Sequence, residues 1–115
     1  MINIKLPLPV KISSNSYING KMHWTKKNKI AQEYHRAFLE FKNKFEITEY
    51  PIAITFIFRF KGRLLDIDNL GISEKLCIDG LRHIGLLKDD TPKYVNELHI
   101  YIEKGKIDEV EMLLV

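Results

Sequence analysis

The sequence predicts an α+β fold, a small mixed β-sheet packed against two helices in the order β–α–β–α–β–β. Three observations carry this. Residues 51–60 alternate apolar with other residues, Ile30, Tyr34, Phe38, Phe41 and Phe45 recur at spacings of four and three, and residues 94–103 and 107–115 alternate again on either side of Gly105-Lys106. A period of two is the mark of a half-buried strand, and a three-four spacing is that of one helix face. A chain of 115 residues is sized for one domain, expected to span 1–115.

Each element has a local reason. Residues 2–9 alternate and then stop at Pro7 and Pro9, which suits a short edge strand. Residues 11–24 carry Ser13-Ser14-Asn15-Ser16-Tyr17 and Asn19-Gly20, the residues of turns, in a loop long for so small a domain. Thr25 is placed to cap a first helix running to about Phe45. Pro51 opens the strand 51–60, with Ile52, Ile54, Phe56, Phe58 and Phe60 on one face and Thr55 and Arg59 on the other. A second helix begins at about Asn69 or Ser73 and ends at Ile84, with Gly85 just past its end. The last two strands are expected to form a hairpin about Gly105-Lys106. Leu98, Ile100 and Ile102 share one face, and Val110, Met112 and Leu114 turn to the same core.

Composition excludes several classes. No apolar run is long enough for a membrane span, and residues 1–20 lack the order of a secretory signal. The single cysteine, Cys77, has no partner for an internal disulfide or a CxxC metal site, which suits a reducing, cytoplasmic setting and a buried thiol. Net charge is +3, unevenly spread: residues 1–50 hold nine Lys/Arg against four Asp/Glu, and residues 51–115 hold nine against eleven. Lys21, Lys26, Lys27 and Lys29 fall close together with no acid among them. Such a segment suits a polyanion; a helix face solvated by lysines is the plainer alternative.

Asp66-Ile67-Asp68-Asn69 and Lys88-Asp89-Asp90 are the tightest acidic groups, and they flank the second helix. Grouped carboxylates repel one another unless a cation sits among them, and a hard divalent ion prefers oxygen ligands. In an extended segment Asp66 and Asp68 would point the same way. A turn with a helix cap accounts for the first group equally well, and an ordinary turn accounts for the second. A helix filling the whole stretch between the groups would be about 24 Å long and would hold them apart. A late start, favoured by Gly71, shortens it.

Asp66-x-Asp68-Asn69, Lys75-x-x-x-Asp79-Gly80-Leu81 and Gly85-x-x-x-Asp89-Asp90 together resemble the signature of the RusA family of Holliday-junction resolvases. Leu6-Pro7-Leu8-Pro9 followed by Ser14-Asn15-x-Tyr17 is similar to that family's strand end and loop. The resemblance implies a Mg²⁺-dependent, homodimeric endodeoxyribonuclease, with Mn²⁺ as an alternative ion and no small-molecule cofactor, that nicks four-way DNA junctions in pairs. It implies Asp66, Asp68 and Asp90 as metal ligands and Lys75 as a catalytic or phosphate-contacting residue. Asp89 is an adjacent supporting acid. Asn69 is expected to cap the helix and orient Asp68, and Asp79 to pair with Arg82. The chain departs from the pattern at Leu65, where relatives carry arginine, and by three extra residues between Asn69 and Lys75. A catalytically inactive DNA-binding or assembly module of the same fold is the alternative. For DNA contact the expected residues are Lys21, His23, Lys26, Lys27, Lys29, Arg63 and Lys88. Tyr17 and Trp24 stand as stacking candidates, and core packing is the other reading of Trp24.

Overall fold

The computed structural model describes residues 1–20 and 22–115, apart from the side chain of Asn19. Four strands, β1 (Ile2–Pro7), β2 (Ile52–Phe60), β3 (Val95–Lys104) and β4 (Glu109–Leu114), form one sheet in the spatial order β1-β4-β2-β3. Two helices, α1 (Trp24–Phe38) and α2 (Gly71–His83), pack on it, so the α+β class and the element order hold.

The pairing of the last two strands differs from the expected hairpin. β3 pairs only with β2, in parallel, with Phe56 opposite Ile100. β4 lies between β1 and β2 and is antiparallel to both, with Met112 opposite Ile4 on one side and Phe56 on the other. Gly105-Lys106 does reverse the chain, but the reversal steps across the end of β2. Gly105 N–H bonds to Phe60 C=O at 3.1 Å, and Lys61 N–H bonds to the Asp108 carboxylate at 2.9 Å. A Cβ on Gly105 would stand 2.7 Å from the Arg59 Cβ, so the crossing needs glycine. Turn residues signal a reversal; which strand becomes the neighbour is decided by burial across the whole sheet.

The alternation of β2 is complete: Ile52, Ile54, Phe56, Phe58 and Phe60 are all buried. Burying each such phenyl ring contributes roughly 1.5–3 kcal/mol. Val110, Met112 and Leu114 meet them from β4, and Ile4 and Leu6 from β1. β3 is an edge strand, where Ile100 and Ile102 are partly buried and Leu98 remains 47% exposed. The opposite face is polar. There the Arg59 guanidinium meets Glu103 of β3 at 2.6 Å and Glu109 and Glu111 of β4 at 3.0 and 2.9 Å.

In α1 the stripe Ile30, Tyr34, Phe38 is buried, but the helix stops at Phe38 and a short 3₁₀ turn, Leu39–Phe41, follows. Phe45 lies beyond both and is part-exposed. The N-cap is His23, whose Nδ1 accepts the Thr25 N–H at 3.2 Å; Thr25 is inside the first turn, not the cap. Tyr34 crosses to α2. Its hydroxyl donates to Val10 C=O at 2.6 Å and lies 3.1 Å from the Ser73 hydroxyl, and burial pushes its pKa up. α2 ends as the glycine predicts: Gly85 has φ +79°, its N–H bonds to Arg82 C=O, and Leu86 N–H bonds to Leu81 C=O.

Candidate active site

The first acidic group sits in a tight turn. Asp66 is extended, but Ile67–Asn69 is one 3₁₀ turn, closed by Asn69 N–H to Asp66 C=O at 2.9 Å. The segment is therefore extended only as far as Asp66, and Asp68 lies within the turn rather than on the continuous extended segment from which a shared direction was expected. Both carboxylates are exposed, and neither has a hydrogen bond or ion pair among the described residues.

α2 starts at Gly71, two residues after the turn, and is 13 residues long, about 20 Å. Its cap comes from elsewhere in the chain. The Ser14 hydroxyl accepts the Ile72 N–H at 3.0 Å and donates to Asn69 C=O at 3.2 Å. Asn69 does not cap the helix; its side-chain oxygen accepts the Asn15 backbone N–H at 3.2 Å. The acidic turn, the helix start and the long N-terminal loop are therefore one hydrogen-bonded unit. The same loop continues into the π-helical turn Asn15–Asn19, where the Tyr17 ring takes the Lys27 ammonium at 5.2 Å from its centroid.

The second acidic group lies along α2. A groove of about 400 Å³ is lined by Gly71, Glu74, Lys75, Ile78, Asp79 and Asp90, with Leu98 of the edge strand as part of its wall. Lys75 and Asp90 thus share a groove, whose lining includes Gly71 at the helix start. Lys75 pairs with Asp79 at 3.1 Å. Arg82 reaches Asp79 at 3.7 Å, Asp89 at 3.6 Å and Asp90 at 3.7 Å. The cation among these carboxylates is Arg82, which the sequence placed only beside Asp79. Asp89 also accepts the Asp90 N–H at 2.8 Å. Glu74 was not among the expected site residues; desolvation on the wall of the groove raises its carboxyl pKa. Its position one turn after Gly71 was the available signal. A cleft on the other side of Lys75 is lined by Asp79, Arg82, His35 and His83, and the two histidine rings stack across α1 and α2 at 5.1 Å.

Asp66 does not share the groove. It lines a separate hollow of about 220 Å³ with Ser13, Arg63, Leu64, Leu65 and Asn69. No three His, Cys, Asp or Glu side chains among the described residues are gathered closely enough to hold a metal ion.

The expected DNA-contacting residues are spread over three places. Lys26 and Lys29 are exposed on the first turns of α1, beside Lys27 and the capping His23. Arg63 borders the Asp66 hollow, and its C=O accepts from the Lys11 ammonium. Lys88 is exposed, with its ammonium 6.0 Å from the centre of the Tyr50 ring. Lys21 lies outside the described residues. Cys77 is fully buried, and burial pushes its thiol pKa up, so its role is packing. Among the described residues no helix is long and apolar enough to cross a membrane. No family model matches the chain, and no curated protein matches its sequence.

Proposed function

We propose that this protein is a Mg²⁺-dependent, structure-selective endodeoxyribonuclease that cuts branched DNA, four-way junctions above all, as a homodimer. The observation that carries the reading is the Asn69–Ser14–Asn15 clamp. It fastens the acidic turn to the loop that leads into the basic start of α1. Carboxylates and lysines joined in this way suit a phosphodiester held between cations on both sides. The motif resemblance to the RusA family supports the same chemistry.

The donor set suits a hard divalent ion. Among the described residues, Asp66 and Asp68 are exposed carboxylates without a partner, and Asp90 is met by a long contact from Arg82. The motif resemblance assigns the ion to these three, which the described structure does not gather into one site; bound there, it would supply Lewis-acid polarisation of the phosphate and an activated water. Lys75, 66% exposed in its side chain and tethered to Asp79, contributes a mobile positive charge to the groove shared with Asp90. Arg82 offsets the repulsion among Asp79, Asp89 and Asp90.

A second reading is a DNA-binding or assembly module without cleavage. The observation that favours it is the separation of Asp66 and Asp90 into different hollows. One assay decides between the two. Four-way, three-way and linear duplex DNA are incubated with Mg²⁺ and either wild-type protein or Asp68→Asn. The nuclease reading expects paired nicks in the four-way junction and a loss of at least about 100-fold in rate with Asp68→Asn, since one metal ligand is removed. Equal cleavage by both proteins sinks the metal-site assignment. Binding without cleavage by the wild type establishes the second reading.

A further inference from the structure

We propose that Trp24 is a stacking platform for an unpaired nucleobase, with Lys26 and Lys29, farther round the same helix start, taking phosphates of the same strand. This rests on the DNA-binding half of the reading above and needs no cleavage. Tryptophan is the largest apolar side chain and is ordinarily well buried. Trp24, the only tryptophan in the chain, is 69% exposed. It is not on a wandering tip. It occupies the first position of α1, directly after the His23 cap, and the His23 ring lies 5.6 Å away at a tilt of 34°. The indole is thus presented from a fixed backbone, which limits the ordering entropy that binding would remove.

The charge around it points to one class of occupant. The first turn of α1 contains no acid. Lys26 and Lys29 are exposed, and neither has a carboxylate partner among the described residues. Lys27 is turned inward onto Tyr17, whose hydroxyl donates to Lys27 C=O at 3.5 Å, so it braces the platform rather than reaching outward. Lys26 and Lys29 follow Trp24 by about 3 and 7.5 Å along the helix axis and lie farther round it, next to one another, so a strand stacked on the indole meets them as it passes round the helix start. An exposed indole at the start of a helix whose first turns carry exposed lysines and no acid suits single-stranded nucleic-acid binding, in which bases stack and phosphates are neutralised. A fully paired duplex offers no free base face, so the platform selects the unpaired bases of a branch point or gap.

Because Trp24 is the sole tryptophan, its own fluorescence reports the site. In EDTA, the wild-type protein is titrated with an oligothymidylate, a blunt-ended linear duplex of equal charge, and heparin. Stacking predicts that the oligothymidylate quenches the emission and that the duplex and heparin leave it nearly unchanged. Anisotropy of a labelled oligothymidylate then compares variants. Trp24→Ala weakens binding about tenfold, and Trp24→Phe recovers part of the loss. Lys26→Ala with Lys29→Ala flattens the salt dependence instead. The proposal is overturned if heparin quenches as strongly as the oligothymidylate, if Trp24→Ala binds as the wild type does, or if Trp24→Ala lowers the solution mass, which would make the indole a contact between copies. Junction cleavage without quenching would remove the platform and leave the nuclease reading standing. Quenching without cleavage would do the reverse.

Discussion

Gly80 of α2 lies directly against Phe38 of α1, so close that a Cβ at Gly80 would stand 2.4 Å from the phenyl Cδ2. Glycine inside a helix is unfavourable by about 1 kcal/mol relative to alanine, and the close approach of the two helices explains why it is here. Gly80→Ala should therefore destabilise despite its better propensity. Phe38 is fully buried and has no room to withdraw, and overpacking of this kind costs about 1–3 kcal/mol. Thermal unfolding followed by circular dichroism measures this; a higher midpoint for Gly80→Ala would show that the helices adjust freely.

Ser14→Ala should loosen the candidate site without touching an acid. The substitution removes the acceptor for Ile72 N–H and the donor to Asn69 C=O. The expected loss is about 1 kcal/mol, as for other helix caps. Its signature is local: faster hydrogen exchange at Ile72 and neighbouring amides, with exchange in β2 unchanged. Uniform acceleration across the molecule would argue against a local clamp.

Arg59→Met should be the most damaging change on the sheet's polar face. It leaves Glu109 and Glu111, whose side chains are only 11% and 18% exposed, without their shared cation. Glu109 keeps the Lys5 ammonium at 3.3 Å, and losing the shared cation of this partly exposed cluster costs about 1.5–3 kcal/mol. Glu103 is half exposed, so Glu103→Gln should cost less than about 1 kcal/mol. Urea unfolding of both variants tests the ranking, and adding Glu109→Gln and Glu111→Gln to Arg59→Met should recover part of the loss.

Two carboxyls give opposite pH behaviour. The hydrogen bond from Asn3, then that from Arg59, holds the Glu111 carboxyl below the usual range. A lowered folded-state pKa stabilises fully above the unfolded value, about 4.3, and that stability is lost as pH falls through the folded value. Wild type should exceed Glu111→Gln at pH 7 and converge with it in acid. Glu74 is raised by desolvation, so its ionised form destabilises the fold at neutral pH. Glu74→Gln should exceed wild type at pH 7, with the difference vanishing below about pH 4. Denaturant midpoints across pH 3–8 check both signs.

What the sequence made legible was whatever repeats along the chain. The alternation of Ile52 to Phe60 and the stripe Ile30, Tyr34, Phe38 declared their own buried faces, and Gly85 declared the end of α2. What it hid depends on residues far apart. The pairing of β4 with β1 and β2 is decided by the whole core, although a local turn at Gly105 announced a hairpin. The cap of α2 comes from Ser14, 58 positions before Ile72. In the candidate site, the sequence singled out Asp66, Asp68 and Asp90 by residue type and spacing. Their separation was not legible, because it follows from a 3₁₀ turn at one end of α2 and from Arg82 at the other.

The central position of β4 has a consequence for synthesis. Of the described elements β4 emerges last from the ribosome, yet it supplies the backbone partners of both β1 and β2. Until it arrives, β1 has no partner strand and one long edge of the phenylalanine-rich β2 is bare. Bare edges of this kind join other chains. The nascent chain is therefore most vulnerable to aggregation after β2 has emerged and before β4 reaches it, and a ribosome stalled between the two would hold a sheet with a missing middle.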